Sequence, residues 1–276
     1  MFATENYLRP VGIFDSGLGG LTVAAALMKL LPNEDIVYFG DTGRVPYGTR
    51  SELVIRKYAR QDVEFLLSKG VKMIVAACGT VSSVAPDIGT ALPIPFVEVV
   101  SPAARAAVKA TKNGRIGVAG TSATVRSGSF VNSIKKLNAD FSVFQQNCPL
   151  FVNIVEEGFT DLSDPLPELI ARRYLEPLKK EGVDTLILGC THFPLLSSVI
   201  AKVMGENVTL INTGETAAAQ VKAVLSEKKL LHPTDAPGKT EFFVSDRVEG
   251  FSRIAGAFLG HEISGDVTQI DWGEYS

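Results

Sequence analysis

The chain has 276 residues, enough for two ordinary domains or one large one with a substantial core. With 27 Lys and Arg against 30 Asp and Glu, a net charge of -3 and no basic stripe, it lacks the electrostatic footprint of a nucleic-acid binder. The stretch MFATENYLRP has neither the basic flank nor the apolar core of a secretory leader, and no apolar run reaches the ~18 residues of a membrane span, so a cytoplasmic protein is expected.

In chain order, short runs rich in Val and Ile alternate with helical patterns, which predicts βα units around parallel sheets. VGIFD (11–15) leads through the glycine-rich turn DSGLGG into the helical LTVAAALMKLLP. That turn departs from the dinucleotide fingerprint, since its third glycine would fall at Thr22, and it carries no Walker lysine. Its backbone N–H groups can still hold an anion such as a carboxylate. Asp15 at the strand tip reads either as an N-cap or as a group that holds an ammonium or passes a proton.

DIVYFGD (35–41) is the second strand, followed by the loop DTGRVPYGTRS and a helix over SELVIRKYARQDVEFLLSKG, capped by Thr49 or Ser51. MIVAAC (73–78), RIGVAG (115–120), TLILGC (185–190) and VTLIN (208–212) are further strands. After RIGVAG comes GTSATVRSGS, a hydroxyl-rich turn suited to donating hydrogen bonds to a carboxylate.

Two segments repeat: GVKMIVAACGT (70–80) and GVDTLILGCTH (182–192) set Gly, Val and Cys in one register. A weaker pair is VGIFDS with IGVAGT. The reading is two related α/β halves, each with a cysteine at the carboxyl end of a strand, where open α/β sheets bind their ligands. Two facing halves would set two thiols across one cleft.

The three cysteines, Cys78, Cys148 and Cys190, are too few and too odd in number for a disulfide framework. Cys148, among apolar neighbours in FQQNCPLFV, reads as a small core residue. Cys78 and Cys190 are followed by small polar residues and a helix start, which favours thiolates, and His192 adds a nearby imidazole. The other histidines, His232 and His261, sit in no ligand-spaced cluster, so no metal site is expected. Paired thiols on opposed halves suit proton abstraction from one carbon and redelivery on its other face. A cysteine hydrolase with Cys190 as nucleophile and His192 as base remains open, as does a binding protein without catalysis.

The motifs VGIFDSGLGGLTV, DTGRVPYG, VAACGTVSS, GTSATVRSGSF, NCPLFVNIVEEG and LGCTHFPLL occur in the order and spacing of one family. Over nearly its whole length the chain resembles the cofactor-independent glutamate racemases, with the aspartate racemases as the nearest alternative. The resemblance implies two flavodoxin-like α/β domains with parallel sheets related by pseudo-twofold symmetry, and an active site in the cleft between them. The first domain is expected over 1–99 and 212–276, the second over 100–211. It implies interconversion of L- and D-glutamate without cofactor or metal, a supply of D-glutamate for peptidoglycan, and a homodimer.

Under that resemblance Cys78 acts on D-glutamate and Cys190 on L-glutamate, assisted by Asp15 and His192 respectively, with Glu157 as a further acid. The implied substrate contacts are Asp15, Ser16, Pro46, Tyr47, Gly48, Gly79, Thr80, Thr121, Thr124, Thr191 and His192. The chain departs from the family at Gly79, where asparagine is usual, at Asn212, where an acid is common, and at Phe130 and Phe193, where tyrosines are frequent. A missing bond from asparagine to a charged ligand would cost about 1.5–3 kcal/mol unless water or Ser82 replaces it.

Overall fold

The computed structural model describes residues 6–248, 251–260, 263 and 267–272. His261 and part of the amino-terminal stretch read above for a leader lie outside the described residues. The strands are β1 (Val11–Asp15), β2 (Ile36–Gly40), β3 (Met73–Ala76), β4 (Phe96–Glu98), β5 (Arg115–Gly120), β6 (Ser142–Asn147), β7 (Thr185–Leu188), β8 (Thr209–Asn212), β9 (Thr240–Val244) and β10 (Val267–Gln269). The helices are α1 (Leu21–Leu30), α2 (Glu52–Ser68), α3 (Gly79–Val84), α4 (Val100–Ala110), α5 (Ser122–Ser127), α6 (Ser129–Leu137), α7 (Leu150–Glu156), α8 (Pro165–Lys180), α9 (Ser197–Met204), α10 (Thr213–Glu227) and α11 (Phe251–Leu259).

The strands build two parallel sheets, in the orders β10-β9-β2-β1-β3-β4 and β6-β5-β7-β8. Stripped of β9 and β10, the first sheet reads second, first, third, fourth strand, and so does the second sheet. The expected duplication is therefore present as topology. β1 corresponds to β5 and β3 to β7, the two pairs of segments whose sequences repeat. After the second sheet the chain returns, and β9 pairs with β2 over Ile36↔Thr240 to Gly40↔Val244. The expected two-domain α/β architecture holds.

Why these segments form strands follows from burial on both faces. β1, β2, β3 and β7 are buried at every residue, as parallel strands covered by helices on both sides require. Val11, Ile13 and Phe14 have no exposed surface, and each such side chain contributes about 1.5–3 kcal/mol relative to exposure. Ser51 caps α2, accepting a bond from the Val54 amide at 3.5 Å, which settles the choice between Thr49 and Ser51. Gly70 and Gly182, which end the helices before β3 and β7, have φ of 70° and 65°, the left-handed conformation that glycine tolerates.

Three family departures find local reasons. Asn212 caps α10, accepting bonds from the Gly214 and Glu215 amides at 2.8 and 3.4 Å. Phe130 and Phe193 are fully buried, and Phe193 packs edge-on to Phe151 at 5.1 Å, where a tyrosine hydroxyl would need a buried partner.

Candidate active site

Parallel strands release their chains at one edge, and there β1 delivers Asp15 and Ser16, β3 delivers Cys78, and β7 delivers Cys190, Thr191 and His192. A cavity of about 280 Å³ lies between these ends. Its wall includes both thiols, so the residue pair expected to work on one carbon shares one chamber. A larger groove of about 1010 Å³ among α1, α10 and α11 has neither thiol nor imidazole in its wall.

Of the residues expected from the sequence, Ser16, Pro46, Tyr47, Gly48, Cys78, Gly79, Thr80, Thr121, Cys190, Thr191 and His192 all line the cavity. Thr80 comes from the first domain and Thr121 from the second, and their hydroxyls meet at 3.1 Å. Thr124 stands behind Thr121, buried, with its hydroxyl 3.1 Å from that of Thr121. Asp15 lies beneath the wall, almost wholly buried; one carboxylate oxygen accepts the Gly17 amide at 3.0 Å and the other has no partner among the described residues. Tyr47 contributes to the wall, yet its hydroxyl is engaged with Asp41 and, at 3.0 Å, with Asp62. That buried anchorage fixes the loop carrying Pro46 and Gly48.

Glu157 is a different matter. It is exposed at the carboxyl cap of α7, outside the cavity wall, and the acid that reaches the site is Glu156. The Glu156 carboxylate lies 2.9 Å from His192 Nε2. The physical reason is helical period: Pro149, Val152, Asn153 and Glu156 share one face of α7, and all four line the cavity. Glu157 falls about 100° further round. None of those four residues, nor Val45, Thr49 and Ser122, is read as a site residue from the sequence; the three-and-four spacing in NCPLFVNIVEEG is the signal that finds the α7 face. Ser82 does not stand in for the missing asparagine, because its hydroxyl donates to Ala76 O at 3.1 Å and accepts the Val99 amide at 3.3 Å.

The two thiols share a topology and have different neighbours. Cys78 lies 3.5 Å from the Ser16 hydroxyl, and burial pushes its pKa up to about 12, with the Asp15 charge acting in the same direction. Burial likewise raises the Asp15 carboxyl above its ordinary value, against the opposing pull of His192. Cys190 lies 3.8 Å from His192 Nδ1. Burial would lower the His192 pKa, but hydrogen bonds to Cys190 and Glu156 and their charges outweigh it and hold the imidazole at about 10. The second thiol thus faces a cation able to balance a thiolate, while the first is kept as a neutral acid. Cys148 is fully buried, burial raises its pKa, and it stays out of the cavity wall. Among the described residues no three His, Cys, Asp or Glu side chains gather as metal ligands.

Residues 23–221 match the family profile described as Asp/Glu/Hydantoin racemase. A glutamate racemase of Geobacter metallireducens is 45% identical, the match covering 95% of this chain and 96% of the relative. A glutamate racemase of Mycobacterium tuberculosis is 47% identical over 94% of this chain and 95% of its own. Among solved structures, the glutamate racemase of Francisella tularensis in complex with D-glutamate superposes with a TM-score of 0.88 at 38% identity, covering 96% and 98% of the two chains. That of Thermus thermophilus with beta-chloro-D-alanine gives 0.87 at 41% identity, covering 97% and 99%. A fold of two parallel α/β domains, six sequence motifs meeting at one cavity and these likenesses agree: the chain belongs to the Asp/Glu/hydantoin racemase family.

Proposed function

We propose that the protein is a glutamate racemase that inverts the α-carbon of glutamate with two thiols and no cofactor. The observation that carries this is that Cys78 and Cys190, from corresponding strand ends of the two domains, line one small cavity. In the direction from L-glutamate, the Cys190 thiolate removes the α-proton, with the electron pair left on the α-carbon and spread into its carboxylate. The Cys78 thiol then delivers its proton to the opposite face. Cys190 ends as the thiol and Cys78 as the thiolate, and D-glutamate runs the same steps in reverse.

The hydroxyls of Ser16, Thr80, Thr121 and Thr191 around the cavity suit the two carboxylates of the substrate. His192, backed by Glu156, holds the cation beside Cys190. Asp15 acts from beneath on the Cys78 side. Supply of D-glutamate for peptidoglycan, a cytoplasmic location and a homodimer complete the proposal on the strength of the family likeness. Among the described residues no helix is long and apolar enough to cross a membrane.

The test is solvent exchange. Purified protein in deuterium oxide, free of pyridoxal phosphate and metal, is expected to place deuterium on the α-carbon of glutamate while the enantiomers equilibrate. Absence of exchange, with hydrolysis of simple esters or amides, would instead select chemistry by Cys190 and His192 alone. Sedimentation at micromolar concentration tests the dimer.

A further inference from the structure

The cavity lies between the ends of the two sheets, and three glycines on the side of the first closely approach residues of the second. A methyl group on Gly79 would stand 2.5 Å from the Gly189 carbonyl oxygen and 3.7 Å from Cα of Cys190. On Gly48 it would meet Cβ of Thr121 at 3.1 Å, and on Gly19 it would overlap the Thr191 hydroxyl and the His192 ring. Left-handed backbone does not explain these residues, since none of the three is among the glycines of positive φ. Gly79 is the first residue of α3, where alanine would ordinarily favour the helix. Space is the remaining reason.

The three contacts differ in what they press on. At Gly48 the contact is with Thr121 Cβ at 3.1 Å, where a shift of a few tenths of an ångström suffices, and at Gly19 it is with the side chains of Thr191 and His192. Gly79 meets backbone: the Gly189 amide is bonded to Ala119 O at 2.8 Å, which ties that carbonyl segment to β5. A Cβ on Gly189 would itself meet Ala119 O at 2.8 Å, so the segment has little room to withdraw. The hydrogen bonds Thr80 to Thr121 and Thr22 to Thr191 O, the latter 3.0 Å, close the same seam.

We propose that Gly79 is a positioning residue that sets how far the two domains shut over the thiols, with Gly48 and Gly19 continuing the seam. Without a side chain there, the helix start that carries Cys78 reaches the turn that carries Cys190. Position 79 thereby serves closure in this chain. The proposal rests on the reading of this cavity as the reaction site, and its test does not depend on which substrate the site takes.

The test uses the full chain carrying Cys148→Ser, so that only Cys78 and Cys190 react. Both are nearly inaccessible, at 4% and 7% exposure, and an aryl disulfide such as DTNB reaches them only on opening. Gly79→Ala is expected to react ~10-fold faster and Gly48→Ala ~2- to 3-fold faster, following the population of the open state. Alanine offers no more donors than glycine, so a fall in kcat of ~10-fold in Gly79→Ala with little change in KM would mark lost closure. Gly79→Asn should open the cleft further. Unchanged thiol reactivity in folded Gly79→Ala overturns the proposal, as does a Gly79→Asn variant that lowers KM with thiols still protected. If Gly79→Ala does not fold, an unchanged rate in Gly48→Ala overturns it. Loss of glutamate turnover in the parent with the seam behaving as expected would count against the substrate reading alone.

Discussion

Cys78 and Cys190 occupy the same place in two copies of one βα pattern, after the third strand of each domain, yet each copy surrounds its thiol with opposite charge. On the Cys78 side the neighbours are a hydroxyl, Ser16, and an acid, Asp15, and the thiol pKa climbs to about 12. On the Cys190 side they are His192 at 3.8 Å and, behind it, Glu156 at 2.9 Å. Duplication supplies two facing thiols, and the few residues beside each give them unlike electrostatic surroundings. A site that must start from either enantiomer is therefore asymmetric, with a thiol raised to about 12 on one face and an imidazolium beside the other thiol on the opposite face.

The harshest break in this comparison is to remove one thiol. Cys78→Ala and Cys190→Ala should each lower racemisation at least ~10⁴-fold, since no remaining group can serve the vacated face. The two variants should differ in exchange: Cys190→Ala loses α-deuterium uptake from L-glutamate, and Cys78→Ala loses it from D-glutamate. Uptake from both enantiomers in either variant would dissolve the assignment of faces.

Next in size, His192→Asn should cost ~10²- to 10³-fold in the direction that starts on Cys190, the range of a proton-transfer partner. Asp15→Asn should weigh instead on the direction that starts on Cys78. A symmetric loss in both directions, read from initial rates with each enantiomer, would show that the two sides are not separately tuned.

Glu156→Gln sharpens the charge argument through pH. The Glu156 carboxylate helps to hold His192 at about 10, so its removal moves that value down. The alkaline limb of activity from L-glutamate should shift by ~1 pH unit to lower pH, with a few-fold lower rate at neutrality. The same linkage predicts a stability effect. A histidine raised in the folded state adds stability that is complete below its ordinary value of 6.5 and fades as pH rises through about 10. Thermal denaturation across that window should show a smaller decline in Glu156→Gln than in the parent.

The smallest effect is expected at the neighbouring acid. Glu157→Gln, exposed and outside the cavity, should alter kcat/KM less than ~2-fold, as surface substitutions generally do. An equal effect of the two glutamine variants would overturn the placement of Glu156 on His192.

The chain itself makes much of this legible. β1, β3, β5 and β7 show as apolar runs because parallel central strands are buried on both faces, and the duplicated Gly, Val and Cys register survives as matching strand order. Four strands were not legible. β4 and β10 have three residues each, too short for a pattern, and β6, SVFQQN, is a partly exposed edge strand with a polar end. β9, TEFFV, reads as a local apolar run whose place beside β2 depends on residues about two hundred positions earlier, a pairing no local pattern encodes.

By itself the sequence determined the central strands, the two thiols that follow them and the glycines that close the helices before β3 and β7, because burial on a strand and a left-handed helix end are local demands that residue types answer directly. Only the tertiary structure decided that Glu156 and not Glu157 meets His192, that the Tyr47 hydroxyl turns to Asp41 and Asp62, and that Gly79 abuts the Gly189 carbonyl. Each of those depends on distance between segments far apart in the chain. Charge, space and hydrogen bonding act across a few ångströms whatever the separation in sequence, so the meeting of two domains settled what neither segment could specify alone.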